Sequence, residues 1–268
     1  MTDRKADNVT SVTSSLSRPV RDHVDAAEWE ARVTLAACYR LVAHYGMTDM
    51  IYNHISLRVP GHPDQFLLNP YGVLYEEMTA SMLYKIDLDG KVVIKPDLDY
   101  GYNRSGHVIH GAVLQARPDV NCVIHTHARS SEAVSTMSCG LLPITQHAMR
   151  FYGHVAYHDY QGPSLTTEEQ APLARDLGDK NLMILRNHGL LVCGPSVPQA
   201  FNTLYWAEMA CKAQVDAMAT GTEIVIPDPE VCAQTAHLYQ PETRRPYGEL
   251  EWAAMLRLLE RKGADYAR

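Results

Sequence analysis

The strongest chemical signal in this sequence is a pair of histidines separated by one residue. They stand at positions 125 and 127 of the run CVIHTH, which covers residues 122–127. The β-branched residues before them favour a strand, and residues two apart in a strand point to the same face. His125 and His127 can therefore converge on one metal ion through their ring nitrogens. The alternative is that both are ordinary polar side chains on a strand.

A third histidine follows another apolar run. His188 comes after the run LMIL at residues 182–185 and precedes Gly189, and glycine allows a backbone to approach a site closely. Spacing alone does not join His188 to the first pair. Three neutral imidazoles would leave a divalent ion with its full charge and with open coordination positions, as in catalytic sites. Such an ion polarises a carbonyl group or holds an enediolate.

A second group of residues could bind an anion. Asn69-Pro70-Tyr71-Gly72 is a turn sequence, and Asn103-Arg104-Ser105-Gly106 opens a predicted helix, whose N-terminus attracts anions. Arg104 could grip a carboxylate or phosphate with two parallel hydrogen bonds, or it could be an exposed arginine in a turn. On the same helix His107 and His110 are three residues apart, so their side chains lie near one another. They could bind a metal ion together, or they could be two ordinary helix histidines.

The elements that must position these residues follow from hydrophobic periodicity. The pattern predicts helices over residues 26–45, 105–116, 129–139, 168–177, 197–221 and 249–262. It predicts strands over residues 50–59, 65–68, 84–88, 91–95, 122–127, 143–147, 155–157, 182–185 and 190–193. Thr166-x-x-Glu169 and Ser196-x-x-Gln199 are capping boxes that would open two of the helices. The proline-rich stretch from residue 222 to the last helix is expected to be largely extended.

Composition bounds the class of protein. The chain has 268 residues, 46% of them hydrophobic and 21% charged, which is typical of a globular protein. The net charge of −7 argues against a general nucleic-acid binder. Six cysteines without a C-x-x-C pair indicate reduced, buried thiols in a cytoplasmic protein. The polar N-terminus and the lack of a long apolar run predict no signal peptide and no membrane partner.

The domain prediction follows from the same pass along the chain. A flexible N-terminal arm is expected over residues 1–22, because this stretch is polar and lacks apolar periodicity. Residues 23–268 are expected to form a single α/β domain, with a core over 29–221 and a C-terminal extension over 222–268. No P-loop, G-x-S-x-G elbow or G-x-G-x-x-G motif supports a nucleotide-binding or serine-hydrolase function.

Taken together, these stretches resemble the class II aldolase/adducin family over residues 29–221. The matching runs in this sequence are NHIS at 53–56, NPYG at 69–72, His110 with ARPDV at 116–120, VIHTH at 123–127 and RNHGLL at 186–191. The resemblance implies a three-layer α/β/α fold around a largely antiparallel sheet. It also implies a homotetramer and a divalent metal on His125, His127 and His188, zinc first, with manganese, iron or cobalt as alternatives.

The resemblance also suggests roles for other residues. In the sugar-phosphate aldolases of the family, such as L-fuculose-phosphate aldolase, the metal stabilises the enediolate left by carbon–carbon cleavage. Asn53, Gly72 and Ser105 match the positions that hold the phosphate there. Three residues depart from the aldolase pattern. Arg104 replaces a phosphate-site serine, Gly106 stands where a Ser-Ser-Glu run places the acid/base glutamate, and His147 matches a proton-donating tyrosine. Adducin-like members lose the metal histidines, which this chain keeps.

The sequence therefore predicts a metal-dependent carbon–carbon lyase acting on a small hydroxy- or oxo-acid, by retro-aldol cleavage or decarboxylation. Arg104 with Asn53 would form the anion clamp, and His107 or His147 would donate the proton. One alternative is a non-haem iron(II) oxygenase on the same three histidines. The other is a non-enzymatic oligomer that the metal stabilises.

Overall fold

The central feature of the fold is one eight-stranded sheet covered by helices on both faces. The computed structural model describes residues 19–162 and 167–268. Residues 1–18 of the predicted arm and Thr166 of the first capping box lie outside the described residues. Within the described ranges, no helix is long and apolar enough to cross a lipid bilayer.

The elements alternate along the chain much as the periodicity predicts. The helices are α1 Ala26–His44, α2 Arg104–Ala116, α3 Arg129–Ser135, α4 Gln146–Met149, α5 Gln170–Leu177, α6 Val197–Ala219, α7 Pro229–Leu238 and α8 Glu249–Arg261. The strands are β1 His54–Val59, β2 His62–Leu68, β3 Tyr84–Asp87, β4 Val92–Ile94, β5 Cys122–Thr126, β6 Val155–His158, β7 Leu182–Leu185 and β8 Gly189–Gly194. The 3-10 turns are Val20–His23, Ala80–Met82 and Thr167–Glu169.

The strands are arranged in the order β4-β3-β2-β1-β5-β8-β7-β6. Every neighbouring pair is antiparallel except β6 and β7, which run parallel at one edge of the sheet. The prediction of a largely antiparallel sheet is therefore confirmed. The order places β5 between β1 and β8, so that side chains from three strands meet around the His-x-His segment.

The two faces of the sheet bury separate apolar clusters. Ile124 of β5 lies in a cluster with residues of α1, α6 and α8, whereas Val123 lies in a second cluster with residues of α2 and α5. Successive side chains of a strand point to opposite faces, so one short run of apolar residues contributes to both clusters. This arrangement is the predicted three-layer α/β/α architecture.

Some predicted elements differ in the structure. Residues 146–149 form the short helix α4 rather than a strand, because the side chain of Thr145 caps it by accepting a hydrogen bond from Ala148 N. The tail after residue 222 contains the helix α7, which begins at Pro229. Residues 50–53 precede β1 as a loop, with Met50 at φ 46°. Five of the six unpaired cysteines are buried as expected, but Cys139 is exposed.

Candidate metal centre

The three predicted metal ligands meet at one end of two adjacent strands. His125 and His127 lie at the end of β5, and His188 lies in the turn between β7 and β8. One ring nitrogen from each histidine comes within 4.8 Å of the others. The ring centroids are 4.6 to 4.7 Å apart in all three pairs. Antiparallel pairing of β5 with β8 therefore joins the distant His188 to the His-x-His pair, which spacing alone could not do.

The turn that carries His188 is fixed on both sides. A Cβ atom at Gly189 would overlap the carbonyl oxygen of Thr126, so only glycine lets β8 begin this close to β5. Asn187 has φ 56°, a left-handed conformation that asparagine tolerates better than most residues. Ser135 of α3 accepts two hydrogen bonds from the turn, from Asn187 N at 3.2 Å and from His188 N at 3.1 Å.

Hydrogen bonds on the outer ring nitrogens fix the orientation of two of the ligands. His125 Nδ1 donates to the carbonyl oxygen of Leu190 at 2.8 Å, and His127 Nδ1 donates to the Asp49 carboxylate at 3.0 Å. In the neutral rings, each Nε2 therefore carries a lone pair. These two Nε2 atoms are only 2.8 Å apart. Two acceptor nitrogens that face each other need a positive group to bridge them, and a metal ion with His188 as third ligand would meet that need.

Burial keeps two of these rings, His125 and His188, neutral. Burial lowers the pKa of His125 well below its ordinary value, with further lowering from the neighbouring histidines. Burial, followed by the charge His127 would carry, lowers the pKa of His188 to about 4. Metal binding requires deprotonated imidazole nitrogens, so the site is prepared for a cation at neutral pH. The donor set of three neutral nitrogens suits zinc and the other divalent metals predicted from the sequence.

The loop before β1 supports His127 through Asp49. The side-chain oxygen of Asn53 accepts a hydrogen bond from Asp49 N at 2.7 Å and so anchors this loop. Asn53 is fully buried, and within the described residues its side-chain nitrogen has no hydrogen-bond partner. Asn53, predicted as part of an anion clamp, thus bonds to Asp49 and positions the carboxylate that orients His127, one of the predicted metal ligands.

A buried chain of polar side chains continues from the site into the interface with α2. His54 is the cross-strand neighbour of His125, and their ring centroids are 4.8 Å apart. His54 Nδ1 lies 2.9 Å from His110 Nε2, and His110 Nδ1 lies 2.7 Å from Ser56 Oγ. Burial lowers the pKa of His54 and of His110 well below the ordinary value. This histidine chain, Ser56–His110–His54, is therefore neutral and rigidly held.

The position matched to the aldolase glutamate faces this chain. A Cβ atom at Gly106 would lie 3.0 Å from His54 Cγ and 3.1 Å from Leu68 Cδ1. That separation is tighter than ordinary van der Waals contact, so a side chain at position 106 would displace the imidazole. The structure thus lacks the carboxylate, and the His54 ring restricts the space at its position.

The other predicted anion-binding residues lie on two paired loops. Tyr71 N donates to Gly101 O at 2.7 Å, which joins the NPYG loop to the segment leading into α2. Gly72 has φ 121°, and a Cβ there would be 2.7 Å from the Tyr100 ring, so this glycine is required by local packing. Arg104 is exposed and Ser105 is half-buried in the first turn of α2.

The structure does not bring the two predicted proton donors to the metal centre. His107 Nε2 lies 3.0 Å from the carbonyl oxygen of Leu88 on the β3–β4 loop. His147 stacks on Trp206 of α6, with ring centroids 4.2 Å apart. Among the contacts of the described residues, neither ring touches His125, His127 or His188. Their proposed catalytic roles therefore find no support within a single chain.

Three residues that the sequence did not single out complete the site. They are Asp49 behind His127, His54 beside His125 and Ser135 under the turn of His188. The alternation of His54 and Ser56 in a predicted strand was the one available signal, because both must point to the same face. The other two contacts depend on loop conformation and on a neighbouring helix, which periodicity does not reveal.

Comparison with known proteins shows which family the chain belongs to. A profile described as the Class II Aldolase and Adducin N-terminal domain matches residues 33–215. A Pseudomonas aeruginosa protein with the provisional name aldolase class 2 protein is 42% identical over 94% of this chain and 97% of its own length. Rat alpha-adducin is 38% identical over 89% of this chain, but the match covers only 34% of that protein.

Solved structures show the same fold. An aldolase II superfamily protein from Pseudomonas syringae superposes with a TM-score of 0.87 and 47% identity, over 94% of this chain and all of that one. The L-fuculose 1-phosphate aldolase from Glaciozyma antarctica superposes with a TM-score of 0.81 and 26% identity, over 91% and 93% of the two chains. The profile match and these identities, together with the three-histidine site, show that the chain belongs to the class II aldolase and adducin family.

Proposed function

We propose that this protein is a metal-dependent carbon–carbon lyase acting on a small, anionic hydroxy- or oxo-acid. The observation that carries the proposal is the set of three converging imidazoles, two of which have their Nδ1 atoms engaged and their Nε2 atoms 2.8 Å apart. A divalent metal held there would act as the electrophile that accepts the electron pair of the breaking bond. The remaining polar groups near the centre decide which bond breaks.

Two features of the chain favour an acid substrate and decarboxylation over retro-aldol cleavage. Arg104 is exposed at the first residue of α2, and no ion pair is recorded for it in the described part of the chain, so it is available to a carboxylate. Retro-aldol cleavage needs a base to remove a hydroxyl proton, and the matching position, Gly106, has no side chain. In decarboxylation the bond to the carboxylate breaks, carbon dioxide leaves, and a solvent proton replaces it. The family further suggests a cytoplasmic homotetramer, which we include in the proposal.

The first test is metal content, measured by mass spectrometry on protein purified without added metal. The wild type should hold about one equivalent of zinc, manganese, iron or cobalt per chain. The variant His125→Ala/His188→Ala should lose that metal. A matched control, His62→Ala/His237→Ala, removes two exposed histidines and should keep it. Equal metal in the site variant and the wild type would contradict the proposed centre.

The second test is activity on a panel of hydroxy- and oxo-acids, with release of carbon dioxide, aldehyde or ketone as the readout. The metal-loaded wild type should turn over at least one acid, and Arg104→Met should raise KM more than it lowers kcat. Failure with every acid would contradict the lyase. Stoichiometric iron with acid-dependent oxygen uptake would instead identify the oxygenase, and metal without any turnover would identify a metal-stabilised oligomer.

A further inference from the structure

Away from the metal centre, one arginine is buried without a carboxylate partner. Arg150 follows α4 and is 8% exposed. Its only recorded side-chain hydrogen bond goes from Nη2 to Asn202 Oδ1, at 3.3 Å. No ion pair to Arg150 is found in residues 19–162 and 167–268. Burial lowers the pKa of its guanidinium to about 10, so the group is still charged at neutral pH. An unpaired buried charge is costly, so its surroundings must compensate.

Aromatic rings supply part of this compensation. The Arg150 guanidinium carbon lies 4.5 Å from the ring centroid of Tyr239, 5.4 Å from those of Trp206 and Tyr247, and 5.6 Å from that of Phe151. Rings at these distances attract the cation electrostatically. They do not accept the N–H groups that lie in the plane of the guanidinium, and five such donors are available. One is used by Asn202, so the group retains the donors needed for a bidentate oxyanion.

Arg150 lines a cavity of about 150 Å³. Its polar lining includes Arg150, Asn202, Gln199, Tyr239 and Lys180. This volume admits an anion of a few heavy atoms, such as phosphate or a short dicarboxylate. Asp179 also borders the cavity, but its side chain is 86% exposed and pairs with Lys180 at 2.8 Å, so it lies at the rim. Arg150 is thus the buried charge that lines this cavity without a carboxylate in direct contact.

The cavity is distinct from the metal centre. Leu182 and Gly194, which line it, stand at the first residue of β7 and the last of β8, whereas His188 occupies the turn at the other end of those strands. Strands of this length place the cavity and His188 on the order of 15 Å apart. Tyr239 and Tyr247 lie beyond the family match, which ends at residue 215. The C-terminal extension therefore closes a site that the family domain alone would leave open.

We propose that this cavity binds a small oxyanion, a carboxylate or a phosphate, through bidentate hydrogen bonds from Arg150. The surrounding rings cover the faces of the guanidinium, while its edge recognises the ligand. Because Arg150 lies at the junction of α4, α6 and the C-terminal extension, bound anion would stabilise the packing of all three. The inference is independent of the reaction at the metal centre.

The test is isothermal titration of the metal-free protein with inorganic phosphate and with succinate, at constant ionic strength set by potassium chloride. We expect saturable binding of at least one anion with one site per chain. Arg150→Met should weaken the affinity for the anion at least tenfold. Arg150→Lys keeps the charge but lacks the two parallel N–H donors of the guanidinium, and it should weaken the affinity less. Arg268→Met is the control: Arg268 is exposed and paired with Asp265, and its loss should leave the binding unchanged.

Two further measurements keep the outcome clear. Arg104→Met should leave this binding unchanged; if Arg104→Met abolishes it and Arg150→Met does not, the anion is held at the start of α2 and the inference is overturned. If Arg150→Met does not fold, wild-type crystals soaked in selenate are used in place of the titration of this variant. Anomalous density next to the Arg150 guanidinium would then support the site. No saturable binding of either anion, or density only elsewhere, overturns it. Binding that appears only on association of two chains would assign the cavity to a contact with a second copy instead.

Discussion

The hydrogen-bond partners of Nδ1 in His125 and His127 determine whether Nε2 of the same ring is free to bind a metal ion. Leu190 offers only a carbonyl oxygen to His125, and Asp49 offers a carboxylate to His127. Both partners are acceptors, so both outer nitrogens must carry the proton and both inner nitrogens must face the centre without one. Such contacts orient metal ligands and raise their basicity. If the proposed site binds a metal ion, its affinity would therefore depend partly on residues that never touch the ion.

Replacing Asp49 with alanine should weaken metal binding about 10- to 100-fold, the usual cost of losing a partner behind a metal ligand. The loop itself should hold, because Asn53 bonds the backbone N–H of residue 49 and not its side chain. Competition with a chromophoric chelator measures the change. Asp89→Asn, in an exposed loop, should have no effect. Unchanged affinity in Asp49→Ala would mean that His127 does not depend on this carboxylate.

Gly106→Ala tests whether His54 fills the place of the missing glutamate. In an ordinary helix this change would stabilise by about 1 kcal/mol. Here the new Cβ would lie 3.0 Å from His54, so we expect a net loss of about 1 kcal/mol in the free energy of unfolding. Urea denaturation measures it. Combined with His54→Ala, the same change should cost less than it does alone, and strictly additive costs would contradict the contact.

At the scale of elements, the turn between β7 and β8 couples the sheet to the site. Gly189→Ala should push β8 away from β5 at Thr126, and with it the ligand His188. We expect a loss of about 2–3 kcal/mol in the free energy of unfolding and a fall in bound metal below one equivalent. Urea denaturation and metal analysis give the two values. Gly101→Ala, where a Cβ meets no atom within 4 Å, is the control and should change neither.

Periodicity predicted most elements because most of them bury one regular face. The helix predicted over residues 26–45 is observed as Ala26–His44, and the one over 249–262 as Glu249–Arg261. The helix α7 was missed because Pro227 and Pro229 were taken to break structure. Proline at the first position of a helix is favourable, since its missing N–H has no partner there in any case. Whether a proline favours or disrupts a helix therefore depends on its position in that helix, which composition does not show.

The same limit applies to the candidate site. His125 and His127 could be predicted because two residues on one strand share a face, which is a local rule. His188 needed the pairing of β5 with β8, and only the family resemblance supplied that before the structure did. His107 was assigned from its nearness to a helix start, but its ring turns toward Leu88 on the β3–β4 loop. Side-chain direction across layers is decided by packing, which sequence spacing does not encode.

At the scale of the whole molecule, the buried histidines make stability depend on pH. In the metal-free folded chain, burial lowers the pKa of His188 to about 4, whereas its unfolded value is about 6.5. Between these values the unfolded state binds more protons, so stability rises with pH across that window and is fully present above it. His54, His110 and His125 shift in the same direction and add to the slope.

Urea denaturation of the chelated protein between pH 4 and 7 tests this dependence. The free energy of unfolding should fall as the pH is lowered through the window, with His188 alone contributing on the order of 2 kcal/mol. His188→Ala should therefore show a shallower slope than the wild type, whereas His62→Ala, at an exposed position, should reproduce the wild-type slope. Parallel curves for wild type and His188→Ala would contradict the assignment.

The pairing of β5 with β8 has one more consequence. It collects His125, His127 and His188 from a single polypeptide, and Asp49 and Leu190 that orient two of them belong to that polypeptide as well. If the proposed centre binds a metal ion, all three histidine ligands would therefore come from one chain. Metal loading would then not depend on protein concentration, and a freshly made chain would bind its ion before it meets another copy.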